Sequence, residues 1–202
     1  MRFLMSPIAL AGLLSACAPT PPDMAHVFSD PPVRVLDRET VTRTRTGFVA
    51  APPHALLDWI IDVPLEDVFA PYGSLPAVAG TLPLSPDWPD EGARRRVLLS
   101  DGHQAAEIIL SVEGTTAFTY QVWGFTNAAG GLAEYAIGRF EVIPVEGGSQ
   151  LNWSYVFAPR SRGSRVLLSA FVATQWSGYM TAAFANLTGQ AERAFASVET
   201  QD

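Results

Sequence analysis

At 202 residues the chain has room for one folded core plus appendages, and its length argues against a second full domain. Its composition, 48% hydrophobic and 16% charged, is too apolar for a disordered chain, while 16 Pro and 16 Gly interrupt it too often for an all-helical one. All 13 basic residues are Arg, which excludes Schiff-base chemistry and a Walker-type lysine, and a net charge of -7 leaves no basic footprint for nucleic acid.

Arg2 precedes an apolar run, Phe3 to Leu14, that is too short to span about 30 Å of hydrocarbon and reads as the core of a secretory signal. The run ends in Leu14-Ser15-Ala16-Cys17, which resembles the lipobox of bacterial lipoproteins. The resemblance implies a signal peptide over 1–16, lipidation of Cys17 and an envelope protein facing the periplasm. Ala18 stands where an Asp signals inner-membrane retention in enteric bacteria, so the outer membrane is the expected address. The alternative is an ordinary signal peptide with a chance cysteine. Cys17 is the only cysteine, which rules out an intramolecular disulfide and a Cys-ligated metal site. Residues 17–36 carry Pro19, Pro21, Pro22, Pro31 and Pro32 and are expected to form a tether reaching roughly 3 Å per residue, with His26 solvated. The folded domain is then expected over 37–200.

From about Val35 the alternation through Thr42, Arg43, Thr44, Arg45 and Thr46 predicts a first, polar strand. Pro52-Pro53 starts a helix with Leu56, Trp59 and Ile60 on one face, and a second short helix is expected from Asp62 to Phe69. Residues 73–93 read as an irregular connection with a short strand near Val78. Strands follow over Arg94–Ser100 and His103–Glu113, joined at Asp101-Gly102, then over Ala117–Phe125, Leu132–Val145 and Gln150–Pro159. This is an antiparallel meander. From Ser164 to about Val198 no Pro occurs, and the tract is expected to be one continuous helix.

A sheet of this order has to curl around the last helix, whose apolar arc needs cover. The order of elements resembles the helix-grip superfamily of plant allergens, lipid-transfer START domains and polyketide cyclases/dehydrases, an α+β fold. The stretches that carry the resemblance are Ala51-Pro52-Pro53-His54-Ala55-Leu56-Leu57-Asp58-Trp59, Gly92-Ala93-Arg94-Arg95-Arg96-Val97 into Asp101-Gly102, Phe118-Thr119-Tyr120-Gln121-Val122, and Gln150-Leu151-Asn152-Trp153-Ser154-Tyr155. It implies a hydrophobic small molecule or lipid held between sheet and helix.

Period-two reading places Phe118, Tyr120 and Val122, Gly138, Phe140 and Val142, and Leu151, Trp153, Tyr155 and Phe157 on the concave face. Thr119, Gln121, Arg139, Glu141, Asn152 and Ser154 fall on a convex face expected to be wet. The wall candidates are Tyr120, Phe140, Trp153, Tyr155, Phe171, Gln175 and Tyr179, with room expected beside Gly138, Gly178, Ala182 and Ala183. The alternative for these aromatics is that they pack and enclose nothing. Trp88 either covers a mouth or anchors its own loop, and the Arg94-Arg95-Arg96 run reads as a strand alternating in and out.

No spacing selects a catalytic set. HExxH, GxSxG and phosphate loops are missing, and Glu107, Glu134 and His103 are only polar groups that a cyclase of this fold would draw on. No cofactor or metal is expected. Three readings stand: a monomeric carrier of an apolar small molecule or lipid, a cyclase/dehydratase-like enzyme, and a ligand-free envelope scaffold. An apolar, nearly closed cavity favours the first, converging titratable groups the second and a filled core the third.

Overall fold

A computed structural model of the chain describes residues 19–34, 39–86 and 88–199. The Leu14–Cys17 tetrad, and with it the lipidation site, lies outside the described residues. The first strand, β1 (Val41–Val49), is followed by two short helices, α1 (Pro53–Asp62) and α2 (Leu65–Val68). Strands β2 (Val78–Pro83), β3 (Arg94–Leu99), β4 (Gln104–Glu113), β5 (Ala117–Trp123), β6 (Ala133–Val145) and β7 (Gly148–Pro159) complete an antiparallel sheet in the order β1-β7-β6-β5-β4-β3-β2. Helices α3 (Ser164–Phe171) and α4 (Ser177–Glu199) close its concave side. This is the helix-grip architecture.

Pro53 opens α1 because its fixed φ suits a first helical turn whose N–H would have no partner anyway. Leu56, Leu57, Ile60 and Ile61 bury one stripe of it against the sheet. The second helix is shorter than expected, four residues, because Pro64 bars helical backbone at Val63 and the helix can only restart after it.

The terminal helix departs from a single regular helix. Between α3 and α4 the residues Val172–Trp176 form a π turn, so the phase of every side chain beyond Phe171 is shifted from a 3.6-residue pattern. Leu168, Val172, Met180, Ala183, Leu187 and Ala191 nonetheless form one buried seam.

The Pro-rich segment is not a free tether over its described part, 19–34, because it lies against the convex face of the sheet. It is held by its own carbonyls. Arg96 Nη1 donates to Met24 O (2.8 Å) and Nη2 to His26 O (2.6 Å), Trp123 Nε1 donates to Ser29 O (2.9 Å), and Gln121 Nε2 donates to Pro32 O (3.1 Å). Phe28 packs with Trp123, Tyr135, Ala106 and Ala158 in a small second core. The expected wet convex face is therefore dry here: Gln121 is 2% exposed and Trp123 2%. His26, expected in solvent, is half-buried with its ring edge-on to Phe28 at 4.9 Å.

Candidate functional site

The concave face carries an unbroken aromatic array. Phe118 stacks on Tyr120 (5.3 Å), Phe140 on Trp153 (5.0 Å), and Tyr155 meets Trp176 at 4.6 Å. Between this array and the helices lies a cavity of about 130 Å³. The alternation of β5, β6 and β7 aims Tyr120, Phe140, Trp153 and Tyr155 into it, while the terminal helix supplies Phe171 and Tyr179. Six of the seven sequence-expected wall residues thus come together.

Gln175 does not join them. Its Oε1 lies 3.4 Å from the Ser74 N–H and 3.3 Å from Ser74 Oγ, on the loop after α2. The π turn explains this, since the extra residue turns Gln175 away from the wall and puts Trp176 into it. The room expected beside two glycines is also taken. A Cβ on Gly138 would run into the Tyr120 ring, and one on Gly178 into the Tyr72 ring. Gly138 thus acts as a seat for Tyr120, whose Oη accepts Trp153 Nε1–H at 3.0 Å. Gly138→Ala is expected to push Tyr120 off that seat and cost about 1–3 kcal/mol. Thermal unfolding and the Trp emission spectrum would register both effects.

The sequence offers Glu107 without selecting it and Arg95 as one of a run, and gives no sign that the two form a charged part of the wall. Arg95 and Glu107 face each other as Cα partners across β3 and β4, and both line the cavity. Arg95 Nε and Nη2 both donate to Glu107 Oε1, at 3.1 and 2.7 Å, and the two side chains are 11% and 4% exposed. The Arg95 guanidinium also lies 3.8 Å from the centroid of the Trp88 ring, so the Pro-flanked loop closes one side of the pair. Trp88 therefore covers this charge. Arg94 and Arg96 point the other way, to Asp30 and to the N-terminal segment.

Burial raises the Glu107 carboxyl above its usual range, and the charge and hydrogen bonds of Arg95 pull it partly back. Burial also raises the Tyr120, Tyr155 and Tyr179 phenols, so all three remain protonated donors at neutral pH. Tyr179 donates to Pro76 O at 2.8 Å. Trp176 Nε1 is buried without a hydrogen-bond partner, an unspent donor on a residue of the wall.

The histidines and Glu134 fall elsewhere. His103 is buried, with Nδ1 3.1 Å from Thr126 Oγ1, and His54 is exposed. Neither they nor Glu134 line the cavity. Among the described residues no group of His, Cys, Asp and Glu could hold a metal ion. Among the described residues the site offers apolar enclosure, protonated donors and one buried ion pair, and no nucleophile–base couple.

Residues 38–192 match the family described as polyketide cyclase/dehydrase and lipid transport. No curated protein matches the chain in sequence. Among solved structures, the chain is similar to the Zhui aromatase/cyclase from Streptomyces sp. R1128, at 17% identity and a TM-score of 0.56, over 77% of this chain and 95% of that one. It is also similar to the major latex-like protein 151 from Panax ginseng, at 11% identity and a TM-score of 0.56, over 75% and 97%. Ara h 8.0201 superposes at 14% identity with a TM-score of 0.54, over 75% and 97%.

Proposed function

Because the chain belongs to the polyketide cyclase/dehydrase and lipid transport family, we propose that it binds a hydrophobic small molecule in the cavity between its curled sheet and its terminal helix. The observation that carries this reading is the composition of the cavity wall: mostly aromatic and aliphatic side chains, with side-chain polar atoms confined to Arg95, Glu107, Asn127, the tyrosines and the two tryptophans. Such a wall buries an apolar body and orients it by one or two polar atoms. A volume of about 130 Å³ falls below the 300–1,000 Å³ of drug-sized pockets, which favours a slender chain or a small ring system. A ligand-free scaffold is the weaker reading, because its core would be expected to be filled.

The chain acts, in this reading, as a monomeric, periplasm-facing lipoprotein anchored through Cys17, with the outer membrane favoured by Ala18. Two or three acyl chains anchor stably where one does not. Fractionation of Cys17→Ser with a high-salt wash, which strips peripheral electrostatic contacts, tests the anchor: the variant is expected to be released from the membrane fraction, and membrane association that resists the wash equally in variant and wild type would refute the anchor.

A cyclase-like activity is the second reading, favoured by Glu107, a buried carboxyl of raised pKa on the same wall as the protonated phenols. Native mass spectrometry and solvent extraction of the purified protein test the first reading. A co-purifying apolar compound recovered unchanged supports binding. A compound converted on incubation with wild type, but not with Glu107→Gln, moves the assignment to the enzyme.

A further inference from the structure

The connections 69–77, 100–103, 124–132 and 160–163 gather at one end of the sheet. Ser100 N–H donates to Ala77 O, Thr126 N–H to Gln104 O and Arg160 N–H to Leu132 O, which ties them side by side. Leu75, Pro76, Phe125 and Ala129 from these connections line the cavity, so the cavity reaches the molecule's surface region at this end. The terminal helix also begins here, and its first turns leave Val166 73% and Leu167 62% exposed. Neighbouring turns of the same helix put Phe171 and Trp176 on the cavity wall.

Three arginines stand beside these exposed side chains. Arg160, Arg162 and Arg165 are all exposed and fall within six residues of a chain whose net charge is -7. Arg160 is steadied by Gly130 O (2.7 Å), and Arg165 pairs with Glu39 at 2.8 Å. Of the acids on the elements at this end, Glu39 is taken up by Arg165, Asp101 is turned to the His103 N–H within its own hairpin, and Glu134 stands at the start of β6. The patch therefore combines local positive charge with apolar side chains, the pairing that anionic lipid headgroups and the acyl boundary beneath them recognise.

The N-terminal segment reaches the same end. Pro21 sits against Gly102 at the tip of the β3–β4 hairpin. The four residues from there back to Cys17 span at most about 14 Å of extended chain.

From these observations we infer that this end of the molecule docks on an anionic bilayer surface, with Val166 and Leu167 at the acyl boundary and Arg160, Arg162 and Arg165 on the headgroups. The orientation turns the end of the cavity lined by Leu75, Pro76, Phe125 and Ala129 toward the membrane. It does not depend on the cavity holding a ligand, since it rests on the outer surface of α3 and of the connection before it.

The test uses the full chain as Cys17→Ser, which removes the native thiol and any acylation, with one environment-sensitive fluorophore attached through Leu167→Cys or, at the opposite end, Glu146→Cys. Vesicles of phosphatidylcholine with phosphatidylglycerol are expected to blue-shift the Leu167 probe and leave the Glu146 probe unchanged, with pure phosphatidylcholine shifting neither. Arg162→Ser is expected to weaken binding to the anionic vesicles roughly fivefold. An unshifted Leu167 probe, equal shifts at both positions, or equal shifts on neutral and anionic vesicles would overturn the inference.

Discussion

Arg95→Leu is expected to lower stability by about 3–5 kcal/mol at pH 8, because it strands the Glu107 carboxylate in a wall where that group is 3% exposed. Arg95→Leu with Glu107→Leu is expected to recover most of the loss, since replacing a whole buried pair by apolar groups is often neutral or stabilising. The pH dependence gives the argument its sign. The folded Glu107 pKa lies above the ordinary value of 4.5, so between that value and the folded pKa the native state binds more protons than the unfolded state. Stability from this group is therefore highest in acid and falls as pH rises through the folded pKa. Removing Arg95 raises that pKa further, so the single variant should recover at pH 5 relative to pH 8, and Glu107→Gln should flatten the dependence. Urea denaturation midpoints at the two pH values measure all of this. A single variant as stable as wild type at pH 8 would show that the carboxylate is not confined as described.

Ending the chain before Ser164 is expected to abolish cooperative folding. The lost segment carries Leu168, Val172, Met180, Ala183 and Leu187, which cover the concave aromatic array. Forfeiting even about 1,000 Å² of apolar burial removes on the order of 25 kcal/mol gross, well above a typical net stability of 5–15 kcal/mol. Circular dichroism melts decide the matter, and a truncated chain that still unfolds in one sharp transition would contradict the grip architecture.

The strand faces were legible because period-two alternation survives in β5, β6 and β7, so Tyr120, Phe140, Trp153 and Tyr155 could be placed on one wall from residue types alone. Three features were not legible, each for a separate reason. The Arg95–Glu107 pair depends on the size of the hairpin loop. A two-residue Asp101-Gly102 turn would set Arg95 opposite Ile108, whereas the structure closes the hairpin at Leu99 and His103, with Gly102 at φ 86°, and so sets Arg95 opposite Glu107. One residue in the loop decides which charges meet. The exchange of Gln175 for Trp176 depends on a π turn, which leaves no mark in a hydrophobic pattern read at 3.6 residues per turn. The seating of 19–34 on the sheet uses backbone carbonyls, which every residue has. Its trace in the sequence was on the receiving side, where Trp123 is too apolar for a wet convex face.

The cavity's occupant is the centre of this account, and one titration bears on it most directly. Trp153 and Trp176 stand in the wall, so their emission should change saturably at micromolar concentrations of a fatty acid, an isoprenoid or a small aromatic polyketide. Ala105 is a small buried residue of the same wall, and Ala105→Phe would occupy the space of about 130 Å³ with side chain. The expected result is saturable binding by wild type that Ala105→Phe abolishes while retaining a cooperative melt. Equal binding by the two proteins, or none by wild type with any of these ligands, would contradict a ligand-holding cavity.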